Sequence, residues 1–419
     1  MSAELEVFHG QHHIGHLIED VSGAWGFAYT SDCLAGDANN MQFLSLKFPP
    51  QHAVYKGEDV AALFRNLLPD GDVRRQIARK IGISQGNDFQ LLASLGGDCL
   101  GAIKVAPPGE LGNEEHEVRP LTELDLRNVV AALPLQPLLI DVEGARLTLP
   151  GDYAKIPVQV QNDQIALTFG TALSSHIAKP AKPDVRESIM NEGFCMALAH
   201  ELDLPVVRTA VRHGAVTVLL VERFDRHLID NKWASIHAED FCQLMGVSPE
   251  QKYEREGGLG VVDCVQCIKR YSVMPGADVR SFLRWLAFCF LIGDGGAHSK
   301  QLAIRHLDEG PRLGPFFGLM STHVYPEQNH RLAMSIGRED RPDWLLPERW
   351  RETADDIGVR GSYVVEVLRD IAERAPRAGA VVAEKFQREY GFAAIVRAIR
   401  ALVERRARQI IVALEAEQI

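Results

Sequence analysis

Apolar and polar side chains alternate through residues 1–50, which predicts short strands at 5–8, 14–18 and 25–29 parted by Gly and Asp turns. The period then lengthens. Apolar positions 60, 63, 64, 67 and 68 make a helical stripe that Pro69-Asp70-Gly71 ends, and residues 88–95 repeat it ahead of Gly96-Gly97. Residues 1–105 therefore read as a small α+β unit. A tract rich in Pro, Gly and Glu, residues 106–124, reads as an exposed connection. Alternation returns at 145–149, 158–161, 164–167, 176–179 and 216–221, around one helix from Ser188 to Leu204 closed by Pro205. Residues 106–224 thus form a second sheet carrying one helix.

Helical stripes dominate from residue 238 onward, at 238–245, 261–271, 279–292, 347–356, 362–373 and 392–417. Residues 225–419 are expected to be all-helical. The last stripe puts Ile395, Ile399, Leu402, Ile410 and Leu414 on one face, and its arginines 397, 400, 405, 406 and 408 read as a solvated face. No internal repeat interrupts the order: sheet, sheet with a helix, then helices.

Length and composition bound the function. With 419 residues, 46% hydrophobic and 24% charged, the chain has the balance of an ordinary globular protein of two or three packing units. Its net charge of −11 repels a phosphate backbone, so contact with nucleic acid would have to be local or borrowed from a partner. The apolar run 285–293 is about half of what a membrane span needs, and the N-terminus is acidic without an apolar signal segment, so a cytoplasmic protein is expected. Seven scattered cysteines suit reduced, buried thiols, and Cys264-Val-Gln-Cys267 has no second pair or nearby His to complete a zinc site. His12, His13 and His16 read as a solvated hairpin, because neighbours on a strand point to opposite faces.

A series of fragments then resembles the HipA family of serine/threonine kinase toxins. They are Leu67-Leu68-Pro69-Asp70 with Arg74; Asp88-Phe89 through Gly97-Asp98-Cys99-Leu100-Gly101-Ala102; Asn191-Glu192; and Val221-Glu222-Arg223-Phe224-Asp225-Arg226. Glu239-Asp240-Phe241-Cys242-Gln243, Lys252-Tyr253-Glu254 before Gly257-Gly258, and Leu332-Ala333-Met334 complete it. Their order and spacing carry the resemblance over nearly the whole chain. It implies a two-lobed, protein-kinase-like α+β fold, with a β-rich N-terminal lobe and an all-helical C-terminal lobe. It further implies ATP as ligand and, as partner, a HipB-like helix-turn-helix antitoxin through which operator DNA is reached indirectly.

Matched residue by residue, the resemblance makes Lys179 the phosphate-pairing lysine, with Glu192 at the head of the next helix as its counter-ion. It places Glu222 and Phe224 at the adenine, and Gln243 with the nucleotide-binding residues. The family's phosphate loop corresponds to residues 148–155, keeping Gly151, Lys155 and, as the phosphorylation candidate, the hydroxyl of Thr148. Asp152 and Tyr153 bring charge and bulk where backbone N–H groups should meet phosphate.

The catalytic loop departs further. The family pattern Ile-Gly-x-x-Asp-x-His-x-x-Asn falls on 292–301, where Ile292, Gly293, His298 and Lys300 fix the register. Gly296 then stands at the catalytic Asp and Gln301 at the metal-holding Asn, with Asp294 two residues early. The second metal carboxylate falls on Gly318, and residues 311–326 contain no Asp or Glu at all. Phosphoryl transfer needs Mg²⁺ on carboxylates and a base at the acceptor hydroxyl. The expectation is a pseudokinase, with Mg²⁺ doubtful, that acts by binding an antitoxin or another protein. The alternative is an active kinase toxin with a rearranged loop, whose family target is glutamyl-tRNA synthetase; a metabolic enzyme sharing the fold finds no acid/base pair to support it.

Overall fold

A computed structural model describes residues 2–36, 43–111, 116–139, 149–151, 153–230 and 232–417. The chain forms two compact units: Met1–Pro180 with Arg212–Pro249 and Arg305–Leu307, and Ala181–Val211 with Glu250–Ile304 and Asp308–Ile419. The expected boundaries after residues 105 and 224 both lie inside the first unit.

The first unit opens on an antiparallel sheet in the order Tyr55–Lys56, Trp25–Tyr29, His12–Glu19, Ala3–His9, Ile103–Ala106. Alternation decides its faces: Leu5 and Val7, then Trp25, Phe27 and Tyr29, point inward, while Glu4 and Glu6 do not. Helices Glu58–Arg65, Gly71–Ile81 and Asp88–Leu95 close that face around Phe64, Leu68 and Leu92. The Pro69-Asp70-Gly71 breaker separates two helices rather than ending one, since Asp70 is the N-cap of Gly71–Ile81.

Five further strands of this unit run in the order Val218–Glu222, His176–Pro180, Ile156–Gln161, Gln164–Gly170, His116–Pro120. Leu126 and Leu133 cover one face of them, against Val158, Leu167 and Phe169. The tract read as an exposed connection therefore contributes the edge strand His116–Pro120, and its last residues begin the helix Glu123–Ala132, which starts on a capping box between Thr122 and Asp125. Of the expected strand 145–149, only Leu149 lies within the described residues.

The second unit is built on Ser188–Glu201, Val261–Tyr271, Pro275–Ile292, Pro347–Asp356, Gly361–Tyr390 and Ala394–Ala416. Trp285 stacks between Phe282 and Phe316, with ring centroids 5.6 and 5.5 Å away. Arg406 corrects the solvated face expected of the last helix. It is 2% exposed, donates to the Phe290 carbonyl and sits 2.8 Å from His323 Nδ1. Burial brings its pKa down to about 10. The C-terminal half of the chain is helical as expected, and it also carries short strands, including the hairpin Arg226–Ile229 with Lys232–Ser235 and the strand Ala238–Asp240 where a helix was expected to begin.

Candidate functional site

In the second unit, helix Pro275–Ile292 ends on Gly293, whose φ of 71° turns the chain sharply and lets its N–H cap the helix. The loop that follows is tied to residues 320–323. Thr322 and His323 donate their N–H groups to the Gly293 carbonyl at 2.9 and 3.1 Å, and Gly295 N–H donates to Thr322 Oγ1 at 2.9 Å.

Asp294 is the innermost of these ties. It is 2% exposed, its Oδ1 accepts from Gly296 N–H at 2.9 Å, and its Oδ2 accepts from Met320 N–H at 3.2 Å. Burial pushes its pKa up to about 7, with those two N–H groups and Lys182 working the other way and Glu192 adding to the rise. This carboxylate is buried and holds the loop, with its Oδ1 3.3 Å from where a Cβ on Gly296 would stand.

The rest of the expected loop keeps its register. His298 N–H donates to the Gly296 carbonyl at 2.8 Å, its ring lies edge-on to Tyr253 at 5.1 Å, and Gln301 N–H donates to the His298 carbonyl at 2.9 Å. A Cβ on Gly318 would have Gln301 Nε2 as its nearest neighbour, at 3.8 Å. The fold thus brings positions 301 and 318 face to face, as two ligands of one ion would be. Gln301 presents a neutral amide whose buried Oε1 has no hydrogen-bond partner among the described residues. Gly318 presents a hydrogen. Mg²⁺ takes near-octahedral oxygen ligands and typically one or two carboxylates, so this pair does not fit it. Glu192 is buried in Ser188–Glu201 of the same unit.

The remaining predicted residues lie in the first unit. Lys179 is half-buried in strand His176–Pro180 opposite Leu219, and Glu222 ends the neighbouring strand opposite His176. Phe224 is half-buried beside Arg223 and Asp225. Gly151 has φ 115°, and a side chain there would strike Lys155 Nζ at 2.7 Å. That ammonium folds back to donate to the Pro150 carbonyl. Tyr153 is 45% exposed, while Thr148 and Asp152 lie outside the described residues. Gln243 commits both ends of its amide to structure: Oε1 accepts from Asp240 N–H at 2.8 Å and Nε2 donates to the Leu63 carbonyl at 3.1 Å.

Two groupings went unseen in the sequence. Arg223, Asp225, Arg226 and Asp98 are all buried. Arg223 bonds Asp98 at 3.1 Å and Asp225 at 2.7 Å, Arg226 bonds Asp225 at 2.9 Å, and Ser174 Oγ donates to Asp98 at 2.7 Å. Burial opposes the charge on Asp225, and the two arginines more than offset it, holding its pKa below the usual carboxylate range. The other grouping is His237, Glu239 and His306. The first had a signal, four charges at the ends of apolar segments; the second joins residues 67 positions apart in the chain, which periodicity cannot pair.

The comparisons agree with one another. Residues 5–106 match the HipA N-terminal domain, and residues 147–379 match the HipA-like C-terminal domain. The putative kinase Y4mE of Sinorhizobium fredii is 34% identical over 378 residues, spanning 88% of this chain and 90% of that protein. The serine/threonine-protein kinase toxin HipA of Shewanella oneidensis is 28% identical over 384 residues, spanning 88% of each. A solved Shewanella oneidensis structure, of HipA with HipB and operator DNA, matches with a TM-score of 0.82 at 26% identity over 98% of each chain.

Proposed function

The chain belongs to the HipA family of kinase-fold toxins, and from that premise we propose that it is a pseudokinase member, using the fold to bind proteins rather than to transfer phosphate. One observation carries this reading: Gly318 faces Gln301, so the position that should supply a metal carboxylate supplies none. Gly296 removes the base independently, and each loss takes away a separate part of the phosphoryl-transfer apparatus. On this reading Asp294 serves the loop, its two oxygens accepting from the Gly296 and Met320 N–H groups. On this reading any nucleotide is held without a metal, by Lys179 and Lys155. The partner proposed is a small helix-turn-helix protein of the HipB kind, as in the solved Shewanella oneidensis assembly, with operator DNA reached through it. Among the described residues no helix is long and apolar enough to cross a membrane.

The purified chain incubated with γ-labelled ATP and Mg²⁺ should label neither itself nor glutamyl-tRNA synthetase, and Mg²⁺ should add nothing to any thermal shift produced by ATP. The variant Gly296→Asp/Gly318→Asp should acquire a Mg²⁺-dependent shift; a side chain at 318 has nothing closer than 3.8 Å but stands at φ 69°, and one at 296 meets Asp294 Oδ1 at 3.3 Å, so far-ultraviolet dichroism first establishes that the variant folds. Transfer by the native chain, abolished in Asp294→Ala, would establish an active kinase with a rearranged loop instead.

A further inference from the structure

Away from the kinase-like residues, the first unit gathers His237, Glu239 and His306 with one donor atom of each within 4.8 Å of the others. Glu239 is 1% exposed and His237 5%. Glu239 Oε2 accepts from Leu46 N–H at 3.1 Å, lies 3.0 Å from His306 Nε2 and stands 4.0 Å from His237 Nε2. Its other oxygen, Oε1, is buried without a hydrogen-bond partner among the described residues. The ion-pair partners of Glu239 among those residues are the two histidines and no Lys or Arg.

A buried carboxylate is costly unless a charge and hydrogen bonds compensate it. His237, 4.0 Å from Glu239 Oε2, packs its ring against those of His306 and His9, with centroids 4.6 and 5.1 Å away. Among the described residues nothing bonds Glu239 Oε1, and a cation held between these side chains would give it a partner. Neutral imidazole is the form that binds metals.

We propose that His237, Glu239 and His306 bind one divalent transition-metal ion of the Zn²⁺ class. Two nitrogens and one carboxylate oxygen are the donor set of Zn²⁺ sites, whereas Mg²⁺ and Ca²⁺ require oxygen cages. His237 Nε2, which bonds the Leu44 carbonyl at 3.1 Å, ligates once its proton moves to Nδ1, giving up the 3.5 Å contact from Ala102 N–H, and the fourth position falls to water or to that carbonyl. The ion takes the place of the proton between His306 and Glu239, and the His306 proton moves to Nδ1. It ties the segment carrying Leu44 and Leu46 to residues 237–239, so its role is to fasten the first unit. This inference is independent of the pseudokinase reading.

The test uses the untagged full-length chain, stripped with chelator and titrated with ZnCl₂ by calorimetry while thermal unfolding is followed. One equivalent should bind and raise the unfolding midpoint, and Co²⁺ should give the visible absorption of a four-coordinate nitrogen and oxygen site. His306→Ala and Glu239→Gln should each lose at least tenfold in affinity, with far-ultraviolet dichroism unchanged. His13→Ala/His16→Ala, in the surface hairpin, should bind as the native chain does. Should the buried variants fail to fold, X-ray absorption of the zinc-loaded native chain decides, with two imidazole nitrogens expected in the first shell. Fewer than two imidazoles, no stoichiometric binding, or binding lost in the hairpin variant and kept in His306→Ala overturns the site.

Discussion

Desolvation at Asp294 makes a prediction that depends only on sign. Its carboxyl ionises near the ordinary 3.8 when the chain is unfolded and near 7 when folded. Between those values the folded chain keeps a proton that the unfolded chain has released, so stability falls as pH rises from about 4 to about 7 and levels off above. Asp294→Asn should lose this contribution to the slope. At pH 5, where the folded carboxyl keeps its proton, it should be less stable than the native chain by about 1–3 kcal/mol, because an amide NH2 replaces one of the two oxygens facing the Gly296 and Met320 N–H groups, and the difference should shrink as pH rises. Urea unfolding of both chains at pH 5 and pH 8 measures the difference; identical slopes would sink the assignment. The sequence places Asp294 in the loop but does not say which way it faces, because orientation comes from residues 320–323, far along the chain. Gly296 and Gly318 are legible by register alone, since a missing side chain needs no orientation.

Elements with clean periodicity and local stop signals come out where the sequence predicts them. Asp88–Leu95, Val261–Tyr271 and Pro347–Asp356 match to the residue. Those that tertiary packing decides do not. Gly361–Tyr390 runs on through Pro376, well past the expected end at 373, buried at Ala375, Gly379, Val382 and Phe386 on either side of it. Helix Glu123–Ala132, which begins where the Pro-, Gly- and Glu-rich tract ends, went unread although Thr122 and Asp125 form a legible cap. Between elements, the Arg223, Asp225, Arg226 and Asp98 lattice joins the end of strand Val218–Glu222 to the turn before Ile103–Ala106. Asp225 also accepts from Gly101 N–H at 2.7 Å. Asp225→Ala leaves two buried guanidinium groups sharing one carboxylate, and the expected cost is about 3–5 kcal/mol, measured by urea unfolding. A loss below about 1 kcal/mol would mean that water or a neighbour already neutralises these arginines.

At the scale of the molecule the net charge of −11 separates partner from target. A chain this acidic gains nothing from counterion release on a DNA backbone, whereas a small basic DNA-binding protein meets it with opposite charge. On the proposed reading, the chain alone should not retard operator DNA at about 0.15 M salt, where the Debye length is about 8 Å. Adding the HipB-like partner should give a retarded complex, and adding the chain on top of it a slower one. The affinity of chain for partner, followed by fluorescence anisotropy without DNA, should fall as salt is raised and approach a floor set by apolar contact. DNA bound by the chain in the absence of the partner would instead require a local basic surface strong enough to overcome the charge of the whole, and would remove the argument for indirect contact.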